Sequence, residues 1–284
     1  MENKVRMDIG RWALRRYFSR KTGDVLIFFF FMCVTFLLPV RAVCAEYQYP
    51  VCPYFLPHLF SYLYFETGFF AAVIYFFSDI PFMNEWEANR VMKLGRKRWA
   101  LVHIGEIVIS SYLLMFSFFV LTFLPLVGVM EIENDWGNLL YTLSAKGDFR
   151  VAFDVSYKIL QQYTPVSAMI FCVILGGAVI SLIGLLMFMV SLFLSRTAAI
   201  ITATVVTGLP IFAENLANMN NQSWLWYISP VSWLRLDYIE WDFGRGLPDM
   251  QYIAVALVGM ILFCSIMIVI KTTRVNFQWN SEEV

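Results

Sequence analysis

Hydrophobic positions gather into six long runs, Val25–Val40, Leu59–Phe82, Ala100–Val127, Val166–Leu194, Thr197–Phe212 and Tyr252–Ile270, parted by polar stretches. A helix crossing about 30 Å of hydrocarbon needs about 20 mostly apolar residues. The pattern therefore predicts an all-α, polytopic membrane protein with six transmembrane helices. The fifth run is the most diluted, by Thr202, Thr204, Thr207 and Pro210, with Glu214 close behind. Ahead of the first run, Val5, Ile9, Trp12, Ala13 and Tyr17 gather on one side of a helical wheel, opposite Lys4, Arg11 and Arg15. Residues 1–24 are accordingly expected to form an interfacial helix. Between the third and fourth runs, Leu139, Leu140 and Leu143, and then Phe153, Tyr157 and Ile159, have helix-compatible spacing and predict short surface helices.

Composition supports a lipid solvent. With 60% hydrophobic and 15% charged residues and a mean hydropathy of +0.65, the chain has too little polar surface to cover itself in water. The 21 basic and 21 acidic residues cancel, so position along the chain carries the information that the total lacks. Because each span crosses once, the loops alternate sides. Lys4, Arg6, Arg11, Arg15, Arg16, Arg20, Lys21, Arg90, Lys93, Arg96, Lys97, Arg98, Arg196, Lys271 and Arg274 then share one side, 15 of the 21 basic residues. The positive-inside rule makes that side the cytoplasm and puts both termini there. Loops 41–58, 128–165 and 215–251 are expected outside, and 276–284 forms a cytoplasmic tail. Val43-Cys44-Ala45 loosely resembles a cleavage site, but Arg41 interrupts the run and five more runs follow, so the first run reads as an uncleaved span.

Candidate chemistry is sparse. No Gly-x-x-x-x-Gly-Lys-Ser/Thr loop is present to cradle a nucleotide, His58 and His103 lack a His-Glu-x-x-His context, and no Gly-x-Ser-x-Gly elbow occurs. The chain is therefore not expected to be catalytic alone, to bind a metal or cofactor, or to bind nucleic acid. Glu66, Glu106 and Asp79 lie in or near spans, where a carboxylate is costly. Their expected places are the outer half for Glu66 and the cytoplasmic end for the other two, which favours stabilising polar contacts over a proton relay. Cys44 and Cys52, eight positions apart in an outer loop with Pro50 and Pro53, could form a disulfide. The last outer loop is rich in aromatic residues, with Trp226, Tyr227, Pro230 and Trp233 at its centre, and reads as a hairpin in or dipping into the outer interface.

The segment 83–99 opens acidic, with Glu85, Trp86 and Glu87, and closes basic, with Arg90, Lys93, Arg96, Lys97 and Arg98. That order suits a short helix whose ends are electrostatically complemented; a solvated loop that obeys positive-inside and binds anionic headgroups is the alternative. Together with the basic segment before the first span, the short turn Ser195-Arg196-Thr197 and the outer sequence Tyr227-Ile228-Ser229-Pro230-Val231-Ser232-Trp233, this layout resembles a permease of the ABC-2 exporter family over nearly the whole chain. The family often has Pro followed by Ser-Arg at the basic turn, where this chain has Leu94-Gly95-Arg96. An importer-type loop fits less well, because Gly95 falls too late after Glu87-Ala88 and no Ile-x-Leu-Pro ending follows.

The resemblance implies a subunit that moves an amphiphilic substrate, whether peptide, lipid, glycan or drug, across a bacterial plasma membrane. It also implies a separate ABC ATPase subunit that binds ATP and Mg, and a second permease copy or paralogue. Glu85, Trp86, Glu87, Arg90, Lys93 and Arg96 would couple to the ATPase. A non-transporting membrane immunity or sensor protein is the competing class, and a secondary carrier the third.

Overall fold

A computed structural model describes residues 17, 19–80, 91–220, 224–240 and 246–274. Among them it is helical with no strand. Five helices are long and apolar enough to cross a membrane: α1 (Arg20–Tyr47), α4 (Arg96–Phe123, prolonged by a 3-10 turn to Leu126), α7 (Pro165–Phe193), α8 (Arg196–Asn220) and α10 (Met250–Arg274). These properties are those of a multi-pass membrane protein. The shorter elements are α2 (Leu56–Phe60), α3 (Leu63–Phe77), α5 (Gly137–Lys146), α6 (Tyr157–Gln162) and α9 (Trp224–Ile228), with 3-10 turns at Ser232–Leu234 and Leu236–Tyr238.

The expected second run, Leu59–Phe82, is not one helix. It breaks at Ser61-Tyr62, where Tyr62 is extended (φ −94°, ψ 112°), leaving α3 with 15 residues and a rise of about 22 Å. Deeply buried α2 precedes it and turns Phe60 back against Phe65, Phe69 and Phe118. At the N-terminus, Arg20–Asp24 belong to α1 and not to a separate helix, while residues 1–16 lie outside the described residues, as does the tail 276–284.

The diluted fifth run is helical throughout because its hydroxyls bond within the helix. Thr202 donates to the Ala198 carbonyl (2.8 Å), Thr204 to Ile200 (2.9 Å) and Thr207 to Thr204 (3.1 Å). Two helices carry an interior proline, Pro39 in α1 and Pro210 in α8. Each ring removes one backbone donor and crowds the preceding turn.

Helix α7 is the centre of the bundle, packed by α4, α10 and α8, with α3 also against it. Small residues set its approach to α4. A Cβ at Gly177 would meet the Tyr112 ring at 2.3 Å, and one at Gly184 would meet Ile107 Cγ2 at 2.7 Å and Phe77 Cζ at 2.9 Å. Between α1, α3 and α4 the core is aromatic: Phe29 stacks on Phe69 (4.8 Å, 9°) and meets Phe118 edge-on (4.9 Å).

The two short helices expected in 131–164 are α5 and α6, and each buries its apolar positions, Leu139, Leu140 and Leu143 in one and Ile159 and Leu160 in the other. The neighbouring loop is tied to the segment after α1, where Val51 N–H donates to the Val129 carbonyl (3.1 Å) and Glu131 N–H to the Val51 carbonyl (2.9 Å).

Candidate functional site

Polar contacts concentrate at the two ends of the bundle. At the basic end, Asp79 follows α3 and takes an ion pair from Lys21 of α1 (2.5 Å) and a longer one from Arg196 of α8 (3.4 Å). Lys21 also donates to Ser78 Oγ (2.8 Å), and Arg196 Nε to the Ser78 carbonyl (2.6 Å). Both cations thus satisfy the Asp79 carboxylate, and Arg196 also satisfies the Ser78 carbonyl at the C-cap of α3, one of those a helix end leaves unpaired. This matches the expected role of Asp79.

The other side of the connecting segment is held too. Residues 91–94 are helical, Gly95 has φ +78°, and α4 begins at Arg96. That left-handed value suits glycine and turns the chain between the two helices. Arg96 donates to the Thr273 carbonyl of α10 (3.2 Å), and Lys93 is exposed. Glu85, Trp86, Glu87 and Arg90 lie outside the described residues. One turn further in, Trp99 is fully buried against His103 (4.6 Å between ring centroids) and Phe188. His103 Nδ1 lies 3.1 Å from the buried Glu106 carboxylate. A cavity of about 300 Å³ between α1 and α3 is lined by Val25, Phe28, Ala71 and Ala72, with Tyr75 donating to Asp24 at its edge (3.2 Å).

At the opposite end, residues 224–240 turn into the protein. The expected interfacial hairpin is mostly interior: Trp226, Pro230, Val231 and Trp233 are buried and Tyr227 is half-buried, while Trp224 is exposed. The polar handles of the aromatics explain the difference. Trp233 Nε1 donates to the Trp226 carbonyl (2.8 Å), Tyr227 Oη to the Leu247 carbonyl (3.0 Å), and Tyr252 Oη to the Tyr227 carbonyl (3.0 Å). These contacts close the hairpin on itself and on α10, so the rings do not need the headgroup region as a partner.

The hairpin carries a charge inward. Arg235 is 4% exposed, pairs with Glu214 of α8 (2.9 Å), and lies over the Tyr238 ring (4.4 Å to its centroid). Tyr238 in turn stacks on Trp226 (4.0 Å, 19°). Asp237 accepts from Ser61, at the break before α3 (2.8 Å), and burial raises its pKa against the opposing pull of Arg235. Lys158 of α6 donates to the carbonyls of Asp237 (2.5 Å) and Ile239 (3.0 Å).

Glu66, in the first turn of α3, is 1% exposed and neither of its oxygens has a hydrogen-bond partner. Arg235, Asp237 and Glu214 act on it electrostatically. Sequence reading singled out Glu66 but missed Arg235 and its partners, because a lone arginine among aromatics gives no spacing signal. His58 in α2 is also wholly buried, against Trp136, and neither ring nitrogen has a hydrogen-bond partner.

Cys44 and Cys52 are both buried free thiols. Cys44 Sγ is directed at the Tyr49 carbonyl (2.7 Å), which leaves the spacing-allowed bridge unformed. Alkylation after denaturation without reductant should therefore modify both cysteines, with no linked peptide detected by mass spectrometry. Recovery of a Cys44–Cys52 peptide would overturn this placement. No protein-family model, curated protein or solved structure matches the chain.

Proposed function

We propose that the chain is the permease subunit of an ABC exporter of the ABC-2 kind, moving an amphiphilic substrate with energy from a separate ATPase. In this reading the basic end faces the cytoplasm, α2 and α3 together make the second of six crossings, both termini are inside, and the membrane is a bacterial plasma membrane. A second permease copy or paralogue completes the assembly.

The observation that carries the reading is how the connecting segment is tethered. Its upstream end joins α1 and α8 through Asp79 and Ser78, and its downstream end joins α10 through Arg96. A force applied to residues 81–95 thus reaches helices beyond the two that it covalently links. This is the mechanical requirement for a coupling element driven by a partner, and a solvated topology loop has no such requirement.

The test is the triple variant Glu85→Ala, Trp86→Ala and Glu87→Ala, assayed for co-purification of an ABC ATPase from the native host. Removing a central aromatic anchor typically costs about 2–4 kcal/mol. The expected result is normal insertion with loss of ATPase co-purification and of substrate-stimulated hydrolysis. Full association and transport in the variant would overturn the coupling assignment.

A further inference from the structure

At the hairpin end, three carboxylates, Glu66, Glu214 and Asp237, share one cluster with two cations, Arg235 and Lys158. Glu214 has its ion pair, and Asp237 has Ser61 and the nearby cations. Glu66 has neither a donor nor water-exposed surface. An ionised carboxylate in that state would lose its hydration with no hydrogen bond to replace it, a cost of several kcal/mol. A neutral carboxylic acid avoids most of that cost, and one bound proton also balances the three negative charges against the two positive ones. Among the described residues no three His, Cys, Asp or Glu side chains converge as a metal site, and one proton on Glu66 restores the balance without a further ligand.

A second orphan complements the first. Arg235 Nε is buried and unpartnered, while its Nη1 holds Glu214. We propose that Glu66 is a proton-binding site, and that loss of its proton draws Arg235 from Glu214 on α8 toward Glu66 on α3. The proton then determines which of the two helices the hairpin is tied to.

Glu66 shares its surroundings with one other buried carboxylate of raised pKa, Asp237, which differs from it in holding a hydrogen bond from Ser61. The hairpin contributes Arg235, Asp237 and Tyr238, α8 contributes Glu214, and α6 contributes Lys158 through Asp237. Helix α2 carries His58, buried against Trp136; α7 carries Cys172, within the field of Asp237; and α1 presents the rings of Phe29 and Phe36 to α3.

Infrared spectra of the purified full chain in lipid nanodiscs test the first half. At neutral pH, the difference between wild type and Glu66→Gln should contain the carbonyl stretch of a protonated carboxylic acid, shifted in deuterated water. Glu66→Asp should move that band without abolishing it. A difference containing only ionised carboxylate bands would overturn the proposal.

The second half is read from tryptophan emission, because the Arg235 guanidinium lies over the Trp226–Tyr238 stack. Raising the pH should change emission in wild type, and the change should vanish in both Glu66→Gln and Trp226→Phe. An unaltered response in Glu66→Gln would exclude Glu66 as the switch. Neither measurement depends on transport or on an ATPase, so failure here leaves the exporter reading standing, and failure of that reading leaves this site intact.

Discussion

Gly184→Leu is expected to remove most folded protein from detergent extracts, whereas Gly259→Leu is expected to leave its amount unchanged. Both glycines lie inside apolar helices, but their surroundings are opposite. A Cβ at Gly184 enters the contact distance of Ile107 and of Phe77, which are themselves fully buried, so neither can swing into open space. A Cβ at Gly259 meets nothing within 4 Å. Overpacking a filled interior costs about 1–3 kcal/mol even for modest insertions, and a leucine at a three-helix contact should reach or exceed the top of that range. At Gly259 the replacement even gains helix propensity, up to about 1 kcal/mol. Thermal challenge followed by size-exclusion chromatography of a fluorescent fusion measures the contrast. Equal losses for the two variants would show that glycine at position 184 is not chosen for close packing.

The second large effect is expected at Arg235. Arg235→Met removes one of the two cations from the cluster that holds Glu214, Asp237 and Glu66; breaking a fully buried ion pair from one side costs about 3–5 kcal/mol, an upper bound here because Glu214 is 31% exposed. Adding Glu214→Gln should recover part of that loss, since the double variant no longer leaves this carboxylate uncompensated. The same thermal assay on the two single variants and the double completes a cycle whose non-additivity reports the coupling. Strict additivity would show that Arg235 acts through its ring contacts with Trp226 and Tyr238 and not through charge.

The apolar runs made the long helices legible, because a bilayer demands length and hydrophobicity and both are local properties of sequence. The hydroxyl-rich fifth run is helical for a reason that composition hides: its threonines bond to their own helix. The break at Ser61-Tyr62 carries no glycine or proline at the break itself, so nothing there marked α3 as short. Asp79 was legible as an end-of-helix group because it closes an apolar run and the basic stretch 90–98 follows, although its partners Lys21 and Arg196 lie far off in the sequence. Arg235 was not, since its partner Glu214 is 21 positions away on α8, and Asp237 beside it is held from Ser61 and Lys158, 176 and 79 positions away. Trp226 and Trp233 looked interfacial by residue type, and only the bond from Trp233 Nε1 to the Trp226 carbonyl and the stacking of Trp226 on Tyr238 show why they turn inward.

The clamp at Asp79 gathers α1, α3 and α8 at the basic end, and away from it each meets a weak point in its backbone ladder: Pro39 within α1, Pro210 within α8, and the break at Ser61-Tyr62 before α3. Each interruption removes backbone hydrogen bonds that would otherwise resist bending. The bundle is thus built like three rods fixed in one base, each with a weak point away from that base. Glu214 lies beyond the one in α8, and Ser61 lies at the one before α3. Both anchors of the inward-turned hairpin are therefore mounted on the movable portions, so a small tilt at the base would be delivered to the hairpin as displacement instead of being spent in deforming the helices below.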